Sequence, residues 1–132
     1  MKAPIILALD TKSIEEADTW ISATKNSVGI YKIGLELFLR ICISGTENLI
    51  NKHEVELFLD LKLHDIPNTV GMATSSIASL QPRFLTVHAS GGVEMIRSAV
   101  GSFVNHRMRL KARLCFTGLP GPFLGTHHCP HL

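Results

Sequence analysis

The chain has 132 residues, enough for one domain with a hydrophobic core and too few for two. Hydrophobic residues make up 45% of it and charged residues 18%, a balance that excludes intrinsic disorder. A formal charge of +2, with Lys and Arg dispersed, speaks against a nucleic-acid-binding stripe or a polybasic membrane anchor. The densest basic run, Arg107 to Arg113, is short. No apolar stretch approaches the ~18 residues that span a bilayer. Three cysteines, Cys42, Cys115 and Cys129, form no recognisable disulfide framework, so the expected compartment is a reducing cytoplasm.

Pro4 to Asp10 is expected as a buried strand closing on an acid; its apolar part is too short for a signal peptide and lacks a small-residue cleavage site. Ser13 is an N-cap candidate with Glu16 at the capping-box position, opening a helix to about Thr24 with Trp20 and Ile21 on its inner face. Val28 to Ile33 follows as a second strand. Gly34 to about His53 is helical, with an interruption near Ser44 and Gly45. A third strand is expected over Val55 to Leu61 and a third helix over Asn68 to Leu80. Arg83 to His88 is the fourth strand, and Gly92 to about Val100 begins the fourth helix.

Strands alternating with helices imply a parallel sheet with crossover connections, the α/β class. The strands are apolar throughout, which suits a sheet covered on both faces. Polar side chains gather at the strand ends: Asp10, Lys32, Asp60 with Lys62, and His88. Ligands of parallel α/β folds bind at that rim. Asp60 and Lys62 stand two apart and are expected on one side of the strand. Asp65 follows in the loop that Pro67 leads into the next helix. With Lys32 these residues make an alternating array of two cations and two anions, in which each charge holds its neighbours ionised. Such an array supplies a fixed field without a metal. The pattern alone equally admits a solvated salt-bridge network. His88 is read as a local hydrogen-bonding group that could reach a ligand, and His64 as secondary to its neighbours.

The run Asp60-Leu61-Lys62-Leu63-His64-Asp65-Ile66-Pro67-Asn68-Thr69 closely resembles the signature of orotidine 5′-phosphate decarboxylases. Leu7 to Asp10, Tyr31 to Phe38 and Thr86 to Gly92 resemble that family's first, second and fourth strand motifs, in order and at natural spacing. The resemblance implies the front half of a TIM (β/α)8 barrel, about four βα units, that decarboxylates orotidine 5′-monophosphate to uridine 5′-monophosphate without a cofactor or metal. It implies that Lys62 protonates C6 of the pyrimidine and that Asp60 faces the substrate carboxylate. Lys32 would bond Asp60 and the ribose, and Asp10 a ribose hydroxyl. Asp65, Ile66 and Thr69 would contact substrate, with Asp65 and Thr69 reaching into the partner's site of a homodimer. Magnesium-dependent sugar-phosphate lyases share the Asp-x-Lys-x-x-Asp core, but Ile66 to Thr69 favours the orotidylate enzyme.

The resemblance covers about Ala3 to Val100. Residues 1–102 are therefore expected as a partial barrel and 103–132 as a non-family, irregular tail without a fifth strand, the product of a frameshift or truncation. His127, His128, Cys129 and His131 match no standard zinc spacing. A complete barrel needs roughly 200 residues, and its phosphate grip usually follows strands seven and eight. Activity of a half barrel is accordingly doubtful, and a non-catalytic fragment is the alternative.

Overall fold

The computed structural model describes residues 3–104 and 113–117. The elements are β1 (Ala3–Ala8), α1 (Ile14–Thr24), β2 (Val28–Gly34), α2 (Leu35–His53), β3 (Glu56–Leu63), α3 (Pro67–Ile77), β4 (Phe84–His88), α4 (Gly92–Val104) and β5 (Arg113–Thr117), with single 3₁₀ turns before and after β4. The strands form one parallel sheet in the order β1-β2-β3-β4-β5.

Local chemistry explains most of the boundaries. The Ser13 hydroxyl accepts the Glu16 amide and starts α1. The Glu16 carboxylate does not close a capping box; it takes the Thr11 hydroxyl instead. Pro67 opens α3 one residue earlier than expected, because a first-turn residue needs no amide hydrogen. In α2 the expected interruption lies at Cys42 (φ 56°, ψ −170°), not at Ser44 and Gly45. Gly45 packs against α2's own first segment: a Cβ there would lie 2.8 Å from Ile41 Cβ.

The core lies between the sheet and its helices. Leu9, Ile21, Tyr31, Ile33, Leu37, Leu57, Leu59 and Leu85 are almost wholly enclosed. A second cluster, Val70, Val87, Met95 and Ala99, seats α3 and α4 on β4. Those two helices approach closely at Gly71, where a Cβ would stand 2.4 Å from the Ser98 hydroxyl oxygen. Polar ties reinforce the packing. Buried Tyr31 shares a 2.7 Å hydrogen bond with Thr24, and Asp18 on α1 binds both His53 and Lys52 at 2.7 Å.

Two expectations need correction. Cover is uneven along the sheet: Leu85, Thr86 and Val87 of β4 are all buried, whereas in β3 Leu57, Leu59 and Leu61 are buried and Phe58 and Asp60 on the opposite face keep some exposure. Phe58 and Phe84 meet edge-on there, at 5.7 Å between centroids. The second correction concerns the chain beyond Ser102, expected to carry no fifth strand. Backbone pairing runs from Phe84↔Arg113 to His88↔Thr117, so the described sheet ends on β5, not β4. The basic run before it and the Gly/Pro-rich stretch after it hid a five-residue strand. His127, His128, Cys129 and His131 lie outside the described residues.

Leu59 sits in the middle strand with no exposed surface. Leu59→Ala is expected to lower unfolding stability by about 3 kcal/mol, through lost burial and the cavity left behind. Ile5→Ala, at a residue 52% exposed, should lower it by less than about 1 kcal/mol. Urea denaturation of both variants checks the contrast, and equal losses would refute this placement of the core.

Candidate active site

Side chains of a strand alternate between faces, and this parity builds the site. Ala8 pairs with Lys32 and Gly34 with Asp60, so the polar residues at the C-terminal strand ends reach one rim. The β3–β4 register then changes. Leu59 pairs with Leu85 and Leu63 with Val87, so β3 spends four residues where β4 spends two. The excess forms a bulge holding Asp60 and Lys62. Lys62 takes a left-handed backbone conformation with φ 50°, a strained state for a residue with a Cβ.

Asp60 is the hub. Its Oδ1 lies 2.8 Å from Lys62 Nζ and its Oδ2 3.2 Å from Lys32 Nζ. Lys32 Nζ also stands 3.8 Å from Asp10, whose side chain is 73% exposed and therefore contributes a well-screened charge. The Asp60 side chain is only 12% exposed, while that of Lys62 is 49% exposed. An open ammonium thus rests on a sheltered carboxylate. Thr86 completes the contacts of Asp60: its hydroxyl donates to Asp60 Oδ1 at 2.9 Å and accepts the Lys62 amide at 2.8 Å. Burial pushes the Asp60 carboxyl up, but hydrogen bonds from Lys62, Thr86 and Lys32 together outweigh it and hold the group below the ordinary aspartate range.

Lys32, Asp60 and Lys62 are therefore brought together as expected, and Asp10 joins them through Lys32. Asp65 does not extend the array within one chain. Its carboxylate accepts the Ile66 amide at 2.7 Å, and Asp65, Ile66 and Thr69 are all exposed at the entry to α3. His88 stacks on His64 at 5.0 Å between centroids and 26° between planes. Thr86 was missed in the sequence, where a threonine in a strand reads as an ordinary β-former.

The array opens to solvent at Lys62 and Asp10. Two hollows lie at the opposite end of the sheet, lined by Asn51, Leu80 and Gln81 and by Pro4, Ile30 and Phe84. Neither contains a residue of the array. Among the described residues no group of three or more His, Cys, Asp or Glu could hold a metal ion, and no helix is long and apolar enough to cross a membrane.

Five parallel strands in sequential order, with a charged cluster at their C-terminal rim, have the architecture of the front portion of a (β/α)8 barrel. The chain belongs to the orotidine 5′-phosphate decarboxylase / HUMPS family, whose model matches residues 3–115 and so passes Ser102. An orotidine 5′-phosphate decarboxylase of Thermobifida fusca is 51% identical over 76% of this chain and 43% of its own length. The enzyme of that name from Sphingopyxis alaskensis is 39% identical over 99% of this chain and 59% of its own. The crystal structure of orotidine 5′-phosphate decarboxylase from Lactobacillus acidophilus superposes with a TM-score of 0.74 at 34% identity, covering 86% of this chain and 51% of that one. The chain thus spans about half the length of the relatives it matches.

Because its folded-state pKa is depressed, Asp60 contributes stability that is complete above the unfolded aspartate value. That contribution is lost as pH falls through the lower folded value. Asp60→Asn should make stability fall less steeply in that acidic window. Urea midpoints measured from neutral to strongly acidic pH would contradict this if both proteins gave parallel curves.

Proposed function

We propose that this chain supplies the acid–base array of an enzyme that decarboxylates orotidine 5′-monophosphate to uridine 5′-monophosphate in the cytoplasm. The observation that carries the reading is the bridging of Lys32 and Lys62 by one sheltered carboxylate, Asp60. In this reading the substrate carboxylate sits against Asp60, where like charge raises the ground state and is relieved as carbon dioxide leaves. Electron density left at C6 is stabilised by the Lys62 ammonium, which then delivers a proton to that carbon. Lys32 holds Asp60 and reaches the ribose, and Asp10 takes a ribose hydroxyl. No cofactor or metal enters these steps.

Asp65, Ile66 and Thr69 are proposed to serve substrate, with Asp65 and Thr69 acting in the site of a second copy. Their exposure supports this, as do the exposed apolar side chains of Ile66, Met72 and Val93 on and beside α3 and α4. Sedimentation equilibrium should give twice the chain mass, and Ile66→Asp should give the single chain. A wild-type monomer at high concentration would contradict the dimer.

The phosphate grip of such barrels usually lies after strands seven and eight, whereas this chain spans about half of its relatives. That fact favours a second reading, in which the array is assembled but silent until the rest of the barrel is supplied. Loss of orotidine 5′-monophosphate absorbance separates the two, with the 132-residue chain assayed alone and together with the C-terminal half of the Thermobifida fusca relative. Turnover is expected in the mixture, and Lys62→Ala should lower it at least about a thousand-fold. Turnover by the chain alone would remove the second reading. Turnover indifferent to Lys62→Ala, or none from a mixture shown to form a complex, would overturn the decarboxylase assignment.

A further inference from the structure

We propose that Thr86 is a positioning residue whose hydroxyl clamps the β3 bulge, so that Asp60 and Lys62 present their charges to the same reacting centre. The proposal deepens the decarboxylase reading and rests on it for its catalytic meaning. Its physical basis is independent of that reading.

Toward β4 the register change leaves residues 60–62 without regular pairing, although Asp60 stays in register with Gly34 of β2 on the other side. Lys62 is moreover held at φ 50°, a conformation that persists only where its surroundings enforce it. Thr86, on the neighbouring strand and 2% exposed, contacts both parts of the bulge. Its Oγ1 accepts the Lys62 amide hydrogen at 2.8 Å and donates to Asp60 Oδ1 at 2.9 Å. The direction of each bond is forced, since an ionised carboxylate only accepts and a backbone amide only donates. One hydroxyl hydrogen and one lone pair therefore tie the backbone that aims Lys62 to the carboxylate on which Lys62 rests. The oxygen that Thr86 bonds is also the one Lys62 Nζ meets at 2.8 Å, so the hydroxyl helps set the position of both charges. A threonine present only for strand packing would need its methyl group and its shape, not its hydroxyl.

Two substitutions separate these roles. Thr86→Val keeps the shape and removes the hydroxyl; Thr86→Ser keeps the hydroxyl and removes the methyl. Carbon-13 NMR of the Asp60 carboxyl needs no turnover, so its outcome is distinct from success or failure of the decarboxylase assignment. The Asp60 titration should move up toward the ordinary aspartate range in Thr86→Val and stay at the wild-type position in Thr86→Ser. Coincident titrations in wild type and Thr86→Val would overturn the clamp. Should Thr86→Val fail to fold, hydrogen exchange in the wild-type chain decides: the Lys62 amide is expected to be protected, and exchange at the rate of an open loop would overturn the proposal. In any assembly whose turnover depends on Lys62, kcat should fall about 10- to 100-fold in Thr86→Val and be restored by Thr86→Ser. An unchanged kcat in Thr86→Val would remove the positioning role.

Discussion

One carboxylate organises the rim of this molecule. Asp60 lies between Lys32 on the neighbouring strand and Lys62 two residues along its own, and it accepts a third hydrogen bond from Thr86. Burying an aspartate without partners would cost several kcal/mol, so these donors are a condition of its ionisation in that place. The same donors oppose the effect of burial and leave the group below its ordinary pKa. The resulting field belongs to fixed groups on adjoining strands and needs no rearrangement when charge develops beside it, which is the arrangement that electrostatic catalysis requires.

The sheet makes that cluster possible. Parallel strands joined by crossover helices point their C-terminal ends the same way, and alternate residues then reach a common rim. The helices bury the other parity, so Tyr31, Ile33, Leu57, Leu59 and Leu85 anchor the strands whose intervening residues carry charge. Packing and site are two faces of one pattern. The exception is the β3 bulge, where the pattern is broken to bring Asp60 and Lys62 onto each other.

Much of this was legible in the residues, for reasons that differ by element. The α1 start was readable because Ser13 caps through its own side chain, a local event. The four leading strands were readable as apolar runs ending in polar residues. Lys32, Asp60 and Lys62 stood out as an alternating charge motif, and the family resemblance favoured an active site over a salt-bridge network. Other features depend on partners distant in sequence. The bulge is a mismatch between two strands and has no signature in either. Thr86 acts through contacts 24 and 26 residues away. The β5 strand is held by pairing with β4, and its flanking basic and Gly/Pro-rich stretches concealed it. Asp65 looked like the fourth member of the array by spacing, but the turn into α3 directs it to the Ile66 amide.

A working array requires that Asp60 and Lys62 be energetically coupled in the folded chain. A double-mutant cycle of Asp60→Asn and Lys62→Met, read by urea denaturation at neutral pH, measures that coupling directly. The structure calls for an interaction of at least about 0.5 kcal/mol, because the carboxylate is sheltered although the ammonium is half exposed. Strictly additive losses would mean that the two charges do not meet, and the array would be no more than a solvated rim.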